Sequence, residues 1–105
     1  MTTEEITNFE IEVLDLLKNV MDPEIEINIV DLGLIYKLDF DGEDTIDIDL
    51  TFSTPSCPLG DTIVANIKAV IMQKHPNKST NVNIVFEPRW STNLISKEGK
   101  RILGM

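Results

Sequence analysis

Apolar residues Ile6, Phe9, Val13, Leu16, Leu17 and Val20 recur at three- and four-residue steps between Thr2 and Met21, which places them on one face of a helix. Thr2 and Glu5 have the spacing of a capping box, and Asp22-Pro23 predicts the stop, because the residue before a proline is pushed out of the helical region. Residues 24–30 alternate only weakly and read equally well as an ordered loop or a strand. The period then changes to two. Residues 34–40 and 45–52 form two β-runs joined by Asp41-Gly42-Glu43-Asp44, a hairpin signal. In the second run Ile46, Ile48, Leu50 and Phe52 are expected to face a core, with Asp47, Asp49 and Thr51 facing water. A second helical stripe runs through Leu59, Ile63, Val64, Ile67, Val70 and Ile71 to His75-Pro76, with Pro58 suited to its first position. Val82, Ile84 and Phe86 mark a third strand, and Ser91 or Thr92 is expected to cap a last helix through Leu94, Ile95, Ile102 and Leu103, stopped by Gly104. The predicted order is α-β-β-α-β-α, an α/β (α+β) fold in which residues 1–105 form one domain without repeats or linkers.

Composition sharpens this picture without changing it. With 18 acidic against 9 basic residues the net charge is −9, yet 42% of the chain is apolar, which argues against a disordered acidic tail. A domain of this size can bury a core without disulfide staples. The lone Cys57 could not form an intramolecular one, so a reduced thiol and a cytoplasmic location are expected. Apolar runs are far shorter than the ~20 residues a membrane span needs, and the acidic N-terminus lacks the pattern of a secretory signal. The acidic balance, with no basic and aromatic cluster, also disfavours nucleic-acid binding. Asp47 and Asp49 alternate along a strand and do not follow the turn geometry of a calcium loop.

Cys57 is the strongest chemical candidate. Standing just before Pro58, it is expected at the N-cap of the second helix, where unpaired N–H groups and the helix dipole favour a thiolate. Thr54, Ser56 and Thr62 add hydroxyls able to donate to a sulfur anion or to bound sulfide. A small buried hydrophobe is the competing reading of the same cysteine. Asp22 and Glu24 flank the rigid Pro23, and Asp31 opens the segment before the hairpin. These carboxylates suit hard metal ions or proton transfer, and capping or turn formation accounts for Asp22 and Asp31 as well. His75 and Cys57 alone do not make a zinc pattern. No phosphate loop, nucleophile elbow or zinc-protease helix is present. Arg89-Trp90 after Pro88 suits a partner contact, since both residue types are enriched in binding hot spots, and suits equally a ring closing the edge of the core.

Asp22-Pro23-Glu24-Ile25, the run Ile29-Val30-Asp31-Leu32-Gly33-Leu34-Ile35-Tyr36, residues 51–61 (Thr-Phe-Ser-Thr-Pro-Ser-Cys-Pro-Leu-Gly-Asp) and residues 85–95 with Pro-x-Trp-Ser together resemble the SufT/PaaD-like family of metal-sulfur cluster biosynthetic proteins. The resemblance implies a mixed three-stranded sheet covered by helices, similar to the C-terminal iron-sulfur assembly domain of NifU-type proteins. It also implies a part in iron-sulfur protein maturation, with the family's cysteine falling on Cys57 and its acidic stretch on Asp22 and Glu24. Some PaaD-type members continue into a cysteine-rich extension, whereas this sequence stops at Met105, so cluster binding through such an extension is not expected. The leading expectation is an auxiliary factor in cluster assembly or transfer, acting through Cys57 and through docking to iron-sulfur carrier or client proteins. Any cluster is transient and shared, either in a homodimer or with a partner, because clusters usually take four cysteines. The alternative is a non-catalytic adaptor in a maturation or oxygenase complex, with a structural cysteine. A thiol enzyme ranks last, since no motif places a base beside Cys57.

Overall fold

Helix α1 (Thr3–Leu17) starts at a complete capping box: Thr2 Oγ1 accepts from the Glu5 N–H and Glu5 Oε1 accepts from the Thr2 N–H, both at 3.1 Å. The computed structural model describes residues 2–22, 26–52 and 60–104. After α1 come strands β1 (Ile35–Phe40) and β2 (Thr45–Leu50), helix α2 (Gly60–Lys74), strand β3 (Ser79–Ile84), a 3₁₀ turn (Thr92–Leu94) and helix α3 (Lys97–Leu103). The sheet order is β1-β2-β3, antiparallel between the first two and parallel between the last two, so α2 is the crossover that a parallel pair requires.

Ile46, Ile48 and Leu50 of β2 are fully buried beneath Val13 and Leu17 of α1 and Ile63, Ile67 and Ile71 of α2. Both long helices therefore cover one face of the sheet. The other face is polar: Asn81 and Asn83 of β3 donate to Asp47 and Asp49 of β2 at 3.1 and 3.3 Å, and Lys37 pairs with Asp39 on β1. Glu10 of α1 ties the layers together by accepting from the Phe40 N–H at 2.9 Å. At the hairpin end, Asp41 Oδ1 accepts from the backbone of Glu43, Asp44 and Thr45, while Lys78 Nζ donates to the Glu43 carbonyl and lies over the Phe40 ring.

Four local expectations need correction. The first helix ends at Leu17 and not at Asp22, because Val20 turns into the core and gives its carbonyl to the Ile29 N–H at 2.9 Å, a tertiary bond that helical periodicity does not announce. Thr51 is buried with the core, since β2 ends at Leu50 and the alternation ends with it. The third strand occupies residues 79–84, earlier than its apolar alternation implied, because parallel pairing begins beside Thr45. The last helix is capped by Ser96, whose hydroxyl accepts from the Gly99 N–H, after a separate turn at Thr92–Leu94, and Gly104 does end it in the left-handed conformation at φ 74°. Of the ambiguous stretch, residues 26–30 form a loop with one bridge, Asn28 to Met21, and the rest lies outside the described residues. No helix among the described residues is long and apolar enough to cross a membrane.

Candidate functional site

One end of the sheet gathers the end of β2, the start of α2 and two long connections. Three backbone bonds join these pieces: the Ile29 N–H donates to Val20, the Leu34 N–H to Ile29, and the Thr51 N–H to Leu34, at 2.9, 3.1 and 2.8 Å. The loop between α1 and β1 is thereby stitched edge to edge onto the end of β2. Its interior is apolar, with Val20, Ile27, Ile29, Leu32 and Leu34 all buried, so a segment with little regular structure is nevertheless part of the core.

The connection after β3 closes over that loop. The Trp90 indole N–H donates to the Leu32 carbonyl at 2.8 Å, and the Ser96 N–H donates to the Asp31 carbonyl at 2.7 Å. The Asp31 carboxylate accepts from the Asn28 amide at 2.7 Å and from the Ser96 hydroxyl at 2.9 Å. These two bonds, that from Asn28 the larger, hold the Asp31 carboxyl below the usual carboxylate range. Gly33 sits at φ 77°, and a Cβ there would lie 2.2 Å from the Leu94 carbonyl oxygen, so only glycine fits beneath the 3₁₀ turn.

The end of β2 and the start of α2 meet through Phe52 and Gly60. The Phe52 ring lies against Gly60, where an added Cβ would come within 2.7 Å of it, and the same ring packs with Phe86 at a centroid distance of 6.4 Å. Thr54, Ser56 and Cys57, like Glu24 of the acidic stretch, lie outside the described residues.

Of the remaining expected site residues, the fold brings Asp22 and Trp90 to the loop stitched onto this end and Thr62 to the first turn of α2. Asp22 is 2% exposed; its N–H donates to the Ile27 carbonyl and its carbonyl accepts from the Glu26 N–H. Thr62 is exposed on the helix surface, Arg89 is exposed, and Trp90 is half-buried against the core. His75 lies at the far end of α2, its ring edge-on to Phe9 and its Nε2 3.7 Å from Glu12 Oε1. Thr51, whose hydroxyl makes no hydrogen bond among the described residues, is buried at the threshold of the 53–59 segment. The Asn28-Asp31-Ser96 network and the Trp90 anchor join positions far apart in sequence; Asp31 and Trp90 stood out as residue types, whereas Asn28 and Ser96 carried no signal. No group of three or more His, Cys, Asp and Glu residues able to hold a metal ion occurs among the described residues.

Residues 10–84 match the family model described as iron-sulfur cluster assembly protein. The Fe-S protein maturation auxiliary factor SufT of Staphylococcus aureus is 38% identical over 82% of this chain and 98% of its own length. An Fe-S protein maturation auxiliary factor of Porphyromonas gingivalis is 31% identical over 95% of each. Among solved structures, a DUF59 domain of unknown function from Bacillus anthracis superposes with a TM-score of 0.94 over 99% of both chains, at 31% identity.

Proposed function

This chain belongs to the iron-sulfur cluster assembly protein family, and on that premise we propose that it is an auxiliary maturation factor that helps assemble iron-sulfur clusters or pass them to client proteins. The observation that supports this most is the match of residues 10–84 to that family, a stretch that carries the chain's one cysteine, Cys57, in sequence between Phe52 and Gly60. Cys57 is the ligand we assign to the cluster, which is cargo passing through the site. One thiolate fills a single position of a centre that usually takes four cysteines, so the remaining ligands come from a client, a carrier, a small thiol or a second copy of the chain. Such sparse ligation suits a protein that must release what it holds.

The supporting roles follow from chemistry. Thr54, Ser56 and Thr62 supply hydroxyl donors toward a sulfur anion, while Asp22 and Glu24, hard oxygen donors, are better matched to positioning and proton transfer than to replacing thiolates. Arg89 and Trp90, on the segment that closes over the α1–β1 loop, are assigned to contact with the partner. A cytoplasmic setting keeps the thiol reduced. Anaerobic incubation with iron and sulfide, followed by transfer to an apo client, tests the reading on the wild type and on Cys57→Ala. The wild type is expected to speed client activation and the variant to lose that effect. Equal transfer by both would remove Cys57 from the mechanism and favour the adaptor reading.

A further inference from the structure

The two edges of the sheet are built differently. The β1 edge carries Lys37 and Asp39 and a register shift between Ile35 and Lys37, devices that discourage pairing with another strand. The β3 edge, Ser-Thr-Asn-Val-Asn-Ile, has no charge, no proline and no bulge in a chain of net charge −9. Ser79 and Val85 donate to Asp44 and Leu50 of the β2 side. The alternation of a parallel ladder therefore turns the N–H and C=O groups of Thr80, Val82 and Ile84 outward. We propose that two copies of this chain pair through these groups, β3 against β3 in antiparallel, into one continuous six-stranded sheet.

The register follows from the two-fold symmetry of such a contact. Val82 faces its own copy on the axis, and Thr80 faces Ile84 on either side, each pair exchanging both backbone bonds. That register brings an exposed apolar feature onto a groove that fits it. Ile84 and Phe86 are 41% and 44% exposed, and their neighbours in the dimer are the residues around Thr80 of the second copy. There the helix side of the edge holds a groove of about 260 Å³ lined by Lys68, Met72, Lys78, Ser79 and Thr80, with Met72 60% exposed. Ile84 of each copy enters the groove of the other, and Phe86 follows it. Glu87 then arrives beside Lys68; the Lys78 ammonium is already engaged with the Glu43 carbonyl.

Charge also permits this contact where it forbids others. The acids Asp47 and Asp49 sit on β2, and β3 presents Asn81 and Asn83 on the same face. In the paired sheet the two acidic strands stand three strand spacings apart, roughly 14 Å, beyond the Debye length of about 8 Å at physiological salt. The two-fold axis sends the two starts of α2 to opposite ends of the sheet. On the assignment of Cys57 made above, the pairing leaves the remaining cluster ligands to a client, a carrier or a small thiol and not to the second copy.

Sedimentation equilibrium on the apo protein tests the pairing independently of any iron chemistry. The wild type is expected to dimerise with a dissociation constant of about 1–100 µM, weak because a short edge contact buries less than a standard interface. Ile84→Lys should give single-chain mass at the same concentrations, with an unchanged thermal melt because the position is already exposed. Lys68→Glu and Glu87→Lys should each weaken pairing several-fold, and the double reversal should recover it. Single-chain mass for the wild type up to roughly 1 mM would overturn the proposal, as would a dimer that survives Ile84→Lys or reversals that fail to compensate.

Discussion

Asp31 and Gly33 stand two residues apart and hold the same junction by different physics. Asp31 does so electrostatically: its carboxylate accepts from Asn28 and Ser96, and these bonds, lost in the unfolded chain, lower its pKa in the folded one. A depressed carboxylate stabilises the fold fully above the ordinary value near 4, and that contribution disappears as the pH falls through the lowered one. Urea melts of the wild type and Asp31→Asn should therefore differ by a constant amount from pH 7 to about 5, and the gap should narrow below about pH 4. A gap that widens on acidification would contradict the assigned bonds. Gly33 acts by sterics. Gly33→Ala meets both the left-handed backbone penalty of about 1–2 kcal/mol and a collision with the Leu94 carbonyl, so its loss of unfolding free energy should exceed that range.

At the scale of elements, one indole helps to hold the C-terminal turn and helix in place. Trp90 reaches across 58 positions of sequence to the Leu32 carbonyl and packs its ring on the core, fastening the 3₁₀ turn and α3 over the α1–β1 loop. Trp90→Phe keeps an aromatic ring but loses the N–H and part of the packing, so it should cost at least about 1 kcal/mol, with hydrogen exchange faster in α3 and unchanged in β2. Exchange rising equally in both would mean that the bond is global and not local. The same elements show what could be read from the sequence. Ile46, Ile48 and Leu50 announce β2 through period two, and Ile63, Ile67 and Ile71 announce α2 through period four, because each element buries one face of its own local geometry. The α1–β1 loop gave no such signal. Val20, Ile27, Ile29, Leu32 and Leu34 are buried by contacts with β2 and the C-terminal segment, and no local period encodes contacts of that range. The candidate site was legible only as residue types: Trp90 is held by its indole N–H on the distant Leu32 carbonyl and Asp22 by backbone bonds to Ile27 and Glu26, and no local period encodes either.

For the whole molecule, ligand arithmetic sets the limit on cluster binding. The chain has one cysteine and one histidine, and His75 lies against Phe9 and near Glu12 at the opposite end of α2 from the site. Carboxylates such as Asp22 and Glu24 are poor substitutes for soft sulfur, so a single copy cannot supply the four thiolate-like ligands a cluster usually takes. A dimer through β3 does not cure the deficit, because it sets the two α2 starts apart. Iron and sulfide measured per chain, together with mass in solution, should therefore give well under one cluster per chain when no thiol or client is added. Retention should rise when glutathione or an apo client is supplied and fall when the small thiol is removed. The dependence on added thiol is the more telling readout, since a low iron count alone could come from incomplete loading. A single chain that keeps a full cluster through desalting without any added thiol would show that ligands other than Cys57 complete the site, and the shared-cluster reading would then fail.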